Sequence, residues 1–386
     1  MTLHEPSWDD ARLAAHAATA PLEAVDAQLQ AARGLTLAAP LCARSRVPGF
    51  DTSMMDGWAV SGPGPWAVTG IVLAGQVPPP LGEGQAVQIA TGAPVPAGAT
   101  AVLRREWGMV DDGVLTADRA VEDGLDIRFA GDEASVGDAL LPTGSVVTPP
   151  VVGLAALVGL DTLTVHRAPS VQVLVMGDEV ITEGIPAIGE VRDALGVQVL
   201  DWPREFAATS HGVQYVEDTL QATIDAIAGS RADVVFTTGG TARGPVDHIH
   251  NALESLGARL IVDEVKVRPG HPMLLARLAD GRFLIGLPGN PLAAITGYIT
   301  LAQPLLCAMA GRPLPEPGHC TTTERISAPA TDRRLIPARR HGEAATPTEF
   351  WGSAMLRGIA ESDCLLVTEA GGAEAGAHIG VLPLPW

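Results

Sequence analysis

The sequence ADVVFTTGGTARGPVDHIHNALESLG at residues 232–257 is followed by RFLIGLPGNPLAAITGYITL at residues 282–301. In both units an apolar run typical of a buried strand leads through a glycine-rich bend into the spacing of an amphipathic helix. The bends contain Gly239–Gly240 in the first unit and Gly289–Asn290 in the second. Glycine lets backbone N–H groups approach a ligand closely, and a helix N-terminus favours negative charge. The two units therefore predict a pocket for a phosphate-bearing molecule.

A cationic segment lies between the two units. It reads KVRPGHP at residues 266–272 and carries Lys266, Arg268 and His271 on a chain that its prolines restrict. Lys266 is the one lysine among the 25 lysine and arginine residues, a skew that indicates codon-usage pressure. An arginine at a position that could take lysine therefore says little about chemistry, whereas His271 is not explained in that way.

Length and composition predict a globular protein of several domains. The chain has 386 residues, of which 47% are hydrophobic and 18% charged, so roughly two to four domains are expected. The formal net charge of −19 argues against a broad nucleic-acid surface, because phosphate contacts require a basic stripe. An anionic small-molecule ligand is compatible with this net charge, because the local electrostatic field in a cleft, rather than the net charge, governs ligand binding there.

The cysteines and the N-terminus favour a cytoplasmic protein. Cys42, Cys307, Cys320 and Cys364 lie far apart and form no CxxC pair, so they fit neither a zinc site nor a disulfide framework. The N-terminal sequence MTLHEPSWDDARLAAH is polar and acidic, unlike a signal peptide. Prolines interrupt the longest apolar run, residues 283–310, so no membrane span is expected.

The pattern of apolar residues changes along the chain. Residues 7–31 predict an amphipathic helix, and residues 35–145 predict short strands separated by glycine and proline. From Ser170 onward strand patterns alternate with helix patterns, which predicts βαβ units and a parallel sheet with helices on both faces. Ligands bind such sheets at the carboxyl ends of the strands, where both glycine bends fall. After Gly311 a proline-rich linker leads back to short strands.

The predicted fold class is α/β plus β, in a multidomain chain. It combines a three-layer α/β parallel-sheet domain with a β-rich module and a small C-terminal β-barrel-like domain. The expected bounds are 1–34 together with 132–169 for a helical or mixed linking domain, 35–131 for the β-rich module, 170–311 for the α/β domain and 312–386 for the C-terminal β-domain.

Acidic residues accompany the predicted bends. Asp178 and Glu179 in MGDEV end the first strand pattern of the α/β domain, where carboxylates suit a metal ion or a ribose. Asp247 falls in the first turn of the helix after TTGGT, where it either favours the helix N-terminus or holds magnesium. TTGGT departs from GxGxxG, which disfavours a dinucleotide cofactor. Each motif also has an ordinary alternative: a tight turn, a solvated loop or, for GLPGNP, a helix cap.

Two motifs of the β-rich module are, by themselves, typical of turns. DTSMMDGWAV at residues 51–60 contains Asp56, and ATGAPVPAGATAV at residues 90–102 contains Thr91. Nothing in their residue types connects them with the pocket of the sheet.

Taken together, the motifs resemble one family. SMMDGWAV, ATGAPVPAGA, GDE, TTGGTARGPVD, RPGHP and LPGNP occur in the order seen in the molybdopterin molybdenumtransferases, bacterial MoeA and the C-terminal part of gephyrin. The resemblance extends over essentially the whole chain and implies a molybdopterin-binding type of α/β domain. It implies an enzyme that takes adenylylated molybdopterin and molybdate, hydrolyses the adenylate with Mg²⁺, and leaves molybdenum on the dithiolene with release of AMP. It also implies an elongated homodimer whose site lies between the α/β domain of one subunit and the β-rich module of the other.

The resemblance assigns roles motif by motif. It implies catalytic roles for Asp56, Glu179, Asp247, Arg268 and His271. It implies substrate binding by Thr91, Gly239, Gly240, Pro272, Gly289, Asn290, Arg339 and Ser353. Asp178 and Asp247 are the implied ligands of Mg²⁺. Arg339 and Ser353 would be the terminal domain's part of an oxyanion site.

Departures from the family pattern keep other functions open. Ala242 replaces a usual serine, and His271 replaces a usual lysine, so that oxyanion binding would depend on pH. These changes fit a diverged paralogue, including one that binds molybdopterin without turnover. A molybdopterin adenylyltransferase is a further alternative, against which the additional β-domains argue. An adenylyltransferase is also the partner that would supply the substrate.

Overall fold

A seven-stranded sheet forms the centre of the molecule. A computed structural model describes residues 2–241 and 248–386. The strands of the sheet are, in chain order, Leu3–His4, Ser170–Met176, Thr209–Val216, Val234–Thr238, Arg259–Asp263, Leu274–Arg277 and Phe283–Leu287. Across the sheet they follow the order first, fifth, sixth, seventh, fourth, second, third. The sixth strand, Leu274–Arg277, runs antiparallel to both neighbours, so the predicted parallel sheet is a mixed one.

Helices cover both faces of this sheet, which confirms the predicted α/β domain. Alternate residues of the strand Ser170–Met176 divide between two cores, with Val173 in one and Leu174 in the other, as the two-residue period of a strand requires. One face packs against the helices Leu220–Gly229 and His248–Ser255. The other packs against the helix Trp8–His16 and the long helical segment Pro291–Gly297, Tyr298–Ala302 and Gln303–Met309.

The long helical segment is the core helix of this domain. Pro291–Met309 is long and apolar enough to cross a membrane by length and composition, but 94% of it is buried inside the protein. Pro304 does not end the helix. Its nitrogen cannot donate to the carbonyl of Thr300, and the chain passes this point through a π-helical turn at Tyr298–Ala302.

The N-terminal helix is shorter than the sequence predicts. It spans Trp8–His16, and the Ser7 side chain accepts a hydrogen bond from the Asp10 backbone N–H at its start. The predicted continuation to residue 31 is wrong, because Ala24–Gln28 form a strand instead. That strand pairs antiparallel with Thr162–His166, so tertiary pairing overrides an alanine-rich helical pattern.

Two further β-structures flank the central domain. The β-rich module holds a six-stranded sheet, in spatial order Gly108–Asp111, Val114–Ala117, Trp66–Val72, Gln85–Ile89, Gly57–Val60 and Ala101–Arg104. The predicted C-terminal barrel is confirmed, because five strands pair in a closed ring: Arg333–His341, Ala344–Pro347, Gly318–Thr322, His378–Pro383 and Cys364–Val367. Residues 149–166 include the helix Pro149–Leu157 and the strand Thr162–His166.

Candidate active site

The two glycine bends meet at the carboxyl ends of adjacent strands. Gly239 has a φ of 87°, in the left-handed region that glycine favours, and its N–H donates to the Leu287 carbonyl at 3.0 Å. A Cβ added to Gly239 would lie 3.3 Å from the Met176 carbonyl oxygen, and one added to Gly289 would lie 3.4 Å from the Gly239 Cα. Side chains at these positions would crowd neighbouring backbone, so the glycines allow the bends to pack side by side.

A cavity of about 360 Å³ opens beside these bends, and we call it the acidic cavity. Its polar wall includes two carboxylates, one cation and four other residues: Glu179, Asp193, Arg192, Thr238, Gly239, Gly289 and Asn290. Asp193 is engaged in local structure, since one carboxylate oxygen accepts from the backbone N–H groups of Leu195 and Gly196, each at 2.9 Å. Its other oxygen accepts from the Tyr215 hydroxyl at 2.8 Å. Burial, and then this bond, raise the pKa of Tyr215 to about 12.

The expected acidic ligands are placed differently from one another. Glu179 lines the acidic cavity, whereas the neighbouring Asp178 does not. Asp178 accepts a hydrogen bond from the Asp218 backbone N–H at 3.0 Å, which joins the bend after one strand to the end of the next. Asp247 and Ala242 lie outside the described residues.

A second cavity, of about 400 Å³, forms where the α/β domain meets the C-terminal barrel. The short strand Val267–Arg268 pairs in parallel with the barrel strand Arg333–His341, in a register that sets Arg268 beside Arg334. The cavity, which we call the basic cavity, has a polar wall that includes Arg268, His271, Asn290, Arg334 and Ser353. Pro272 also lines it. Asn290 belongs to both cavities, so they meet at that residue.

The basic cavity carries an excess of positive charge. The Arg268 Nε donates to an Asp332 carboxylate oxygen at 2.7 Å, and Asp332 is nearly buried. The Arg334 guanidinium lies 5.3 Å from the centre of the Trp351 ring. Burial, and then the nearby Arg268, lower the pKa of Arg334. Two guanidinium groups with one paired carboxylate are typical of an anion site.

His271 reaches the same cavity with an unexpected partner. Its Nε2 lies 3.0 Å from the Glu5 carboxylate, which comes from the N-terminal segment. No local sequence pattern connects Glu5 with His271, because the two residues lie far apart in the chain. The backbone of His271 is also held, since its carbonyl accepts from the N–H groups of Val265 and Met273.

The second bend differs from the helix cap that its sequence suggests. The Asn290 side chain makes no capping hydrogen bond. The first helical N–H groups instead donate to the Ser353 carbonyl, at 3.0 Å from Leu292 and 3.4 Å from Ala293. The terminal domain therefore occupies the helix N-terminus that was expected to attract an anion. The Asn290 carboxamide stays available on the walls of both cavities.

Three expected site residues line neither the acidic nor the basic cavity: Asp56, Thr91 and Arg339. The Asp56 carboxylate accepts from the Thr91 backbone N–H at 2.7 Å and from its hydroxyl at 2.9 Å, and these bonds, in that order, lower the pKa of Asp56. Asp56 lines a separate cavity of about 230 Å³ whose wall consists of residues 56–105 alone. Arg339 lies five positions beyond Arg334 on the barrel strand and donates to the Glu361 carbonyl. The arginine of this strand that lines the basic cavity is Arg334.

Comparison with known proteins agrees with this architecture. Three family models match in succession: MoeA N-terminal region (domain I and II) at residues 7–159, probable molybdopterin binding domain at 172–308, and MoeA C-terminal region (domain IV) at 320–384.

The chain belongs to the MoeA family.

Curated relatives of this MoeA-family chain cover nearly its full length. The molybdopterin molybdenumtransferase of Staphylococcus aureus (strain MRSA252) is 27% identical over 392 residues, which is 94% of this chain and 91% of the relative. The protein of the same name from Staphylococcus epidermidis (strain ATCC 35984) is 27% identical over 380 residues, which is 93% of this chain and 90% of the relative. A crystal structure of a molybdopterin biosynthesis MoeA protein from Pyrococcus horikoshii has a TM-score of 0.79, with 23% identity and 99% of each chain covered. That likeness shows the shared fold.

Proposed function

We propose that this protein is a molybdopterin molybdenumtransferase, which inserts molybdate into adenylylated molybdopterin and releases AMP. The observation that carries the proposal is the meeting of a basic and an acidic cavity at Asn290. Such a pair suits a substrate set of one oxyanion and one phosphate-bearing organic molecule that must react with each other. The names of the curated relatives support the same activity.

The basic cavity is the proposed molybdate site. Arg268 and Arg334 would supply charge-assisted hydrogen bonds, and Ser353 would supply a neutral donor from the terminal domain. His271 stands where the family usually has a lysine, and it donates from both ring nitrogens only when it is protonated. We therefore expect oxyanion binding to depend on pH.

The acidic cavity is the proposed site of the pterin adenylate. Gly239 and Gly289 line the cavity without side chains, and with Gly240 they would let a phosphate approach the backbone closely. Mg²⁺ usually binds proteins through one or two carboxylates and completes its shell with water and substrate phosphate. Glu179 on the cavity wall fits that role, with Asp178 and Asp247 as the other proposed ligands. When bound, the ion would neutralise charge on the phosphate that is cleaved.

A homodimer would bring the β-rich module to this site. Asp56 and Thr91 form one hydrogen-bonded pair, yet their cavity has no residue of the α/β domain in its wall. Large apolar side chains near this pair are exposed, including Met54, Ile71 and Leu73. We propose that these residues face the acidic cavity of a partner subunit. A cytoplasmic location and supply of substrate by an adenylyltransferase complete the proposal.

The proposal is tested by AMP release. Purified protein is incubated with adenylylated molybdopterin, molybdate and Mg²⁺ from about pH 6 to 8, which brackets the ordinary imidazole pKa. Release of AMP that depends on molybdate is the expected result. The competing function is a protein that binds molybdopterin without turnover, which His271 in place of the family's usual lysine favours. Tight pterin binding without AMP release at any pH would identify that second function.

A further inference from the structure

His271 differs from a lysine in needing an orientation. A lysine ammonium is a compact charge on a flexible stem, so it can reach an oxyanion from many positions. An imidazole is a planar ring with two distinct nitrogens, and only the nitrogen that faces the ligand contacts it. A histidine in the basic cavity therefore needs a second group that fixes which nitrogen points inward.

Glu5 is placed to supply that second group. The strand Leu3–His4 pairs in parallel with Arg259–Asp263, and the Glu5 N–H continues this pairing by donating to the Asp263 carbonyl at 3.0 Å. On the following residue, the Pro6 carbonyl accepts from the Lys266 N–H at 3.0 Å. The backbone on both sides of Glu5 is thus fixed against the segment that carries His271.

One hydrogen bond joins the two fixed positions. The Glu5 carboxylate lies 3.0 Å from Nε2 of His271, and the His271 side chain is only 18% exposed. Nδ1 is then the ring nitrogen left for a ligand. The other charged groups around the ring are the Glu264 carboxylate, which lies within 4.8 Å of both partners, and Arg268 and Arg334 on the cavity wall.

We propose that Glu5 is a positioning residue for oxyanion binding: it accepts Nε2–H of His271 and thereby directs Nδ1 to the bound oxyanion, to which Nδ1–H donates when the ring is protonated. This inference rests on the proposed function, since it assumes an oxyanion in the basic cavity. It assigns the N-terminal segment a role in the site, and it makes His271 and Glu5 a functional pair that replaces a single lysine.

A double-mutant cycle tests the pair. Molybdate binding is measured by titration calorimetry at about pH 6.5, near the ordinary imidazole pKa, for wild type, Glu5→Ala, His271→Lys and the double variant. Glu5→Ala is expected to weaken binding about tenfold when His271 is present and not at all when Lys replaces it. Glu5→Gln should retain most of the affinity, because its amide oxygen still accepts from Nε2–H. Equal weakening in both backgrounds would mean a merely structural role and would overturn the proposal.

A spectroscopic readout separates this inference from the proposed function. In ¹⁵N NMR spectra of the ligand-free protein, the His271 signals are those that His271→Lys removes. The wild type is expected to show Nε2 as the protonated nitrogen of the neutral ring, and Glu5→Ala to show a mixture of tautomers, with Glu264→Gln as the control that leaves the wild-type pattern. An unchanged pattern in Glu5→Ala overturns the positioning role. The expected pattern in a protein that binds no molybdate would keep the role of Glu5 in fixing the ring and reject the oxyanion function instead.

Discussion

The acidic and basic cavities share Asn290 but are assembled in different ways. Most of the acidic cavity lies at the carboxyl ends of neighbouring strands of one sheet, so its wall follows from local strand and bend sequences. The basic cavity exists only because the strand Val267–Arg268 joins the barrel strand Arg333–His341. The acidic cavity is built mainly within one domain, with Ala354 and Leu356 added by the terminal domain, whereas the basic cavity is built between two domains.

This difference suggests that the two cavities bind different ligands. A site at the strand ends of one sheet exposes backbone groups, which suits a large organic substrate that many backbone groups must recognise. A site between domains gathers charges from distant parts of the chain, as the register pairing of Arg268 with Arg334 shows. Like charges held together in this way need an anion to offset their repulsion, so the basic cavity should be the more sensitive to loss of a single charge.

The largest effect is expected from Arg334→Gln. Hydrogen bonds to charged groups contribute about 1.5–3 kcal/mol, so molybdate affinity should fall roughly 10- to 100-fold. Arg339→Gln is the matched control, because Arg339 lies on the same strand and points its guanidinium to the Glu361 carbonyl. Titration calorimetry with molybdate measures both. A larger loss of molybdate affinity in Arg339→Gln would mean that Arg339, as the family resemblance implies, binds the oxyanion.

The next effect concerns the acidic cavity alone. Glu179→Gln should weaken the activation of AMP release by Mg²⁺ about tenfold, a loss typical of removing a group that a bound metal depends on. Asp178→Asn should do less, because Asp178 does not line the cavity and an amide oxygen can still accept the Asp218 N–H that Asp178 now binds. Mg²⁺ dependence of the initial rate is the measurement. Molybdate affinity should stay unchanged in both variants, and a loss there would contradict the separation of the two cavities.

The sequence predicted the acidic cavity far better than the basic one. Gly239 and Gly289 lie at bends between strand and helix patterns, and that local signal correctly placed them together. Arg334 gave no such signal, because its place depends on a pairing register between residues more than sixty positions apart. The family motifs predicted Arg268 and Ser353 as oxyanion-site residues, but for the barrel strand they predicted Arg339 rather than Arg334. The strand Leu274–Arg277 was missed for a related reason, since its short apolar run lacks a period of its own.

A smaller effect is expected where the cavities meet. Asn290→Ala should weaken the binding of both molybdate and the pterin nucleotide, each roughly fivefold, because one hydrogen bond contributes about 1 kcal/mol. The free energy of unfolding should change by less than about 0.5 kcal/mol, because the Asn290 side chain does not cap its helix. Calorimetric titrations and denaturant melts measure the two quantities. Loss of only one affinity would assign Asn290 to a single cavity and break the proposed link.

The smallest effect is expected in the β-rich module, where Thr91→Val removes one of two donors to Asp56. The backbone N–H of Thr91 is the larger cause of the low Asp56 pKa and stays in place, so the pKa should rise only part of the way to its ordinary value. A carboxyl pKa that is lowered by folding stabilises the fold above the unfolded-state pKa, and this contribution is lost as pH falls through the folded-state value. Thr91→Val should therefore reduce a small stabilisation at neutral pH and have no effect in strong acid. Carboxyl ¹³C NMR titration measures the change, with Asp51 as the control carboxylate in the same loop.

The same titration decides whether Asp56 belongs to the acidic cavity of a partner subunit. A nucleotide phosphate near Asp56 adds negative charge, which would raise its pKa, whereas a nucleotide that carries Mg²⁺ would lower it. Molybdate in the basic cavity should leave the Asp56 titration unchanged. If neither nucleotide nor molybdate moves it in protein at concentrations that form a dimer, the pair with Thr91 is a turn of the β-rich module, and the acidic cavity is complete within one chain.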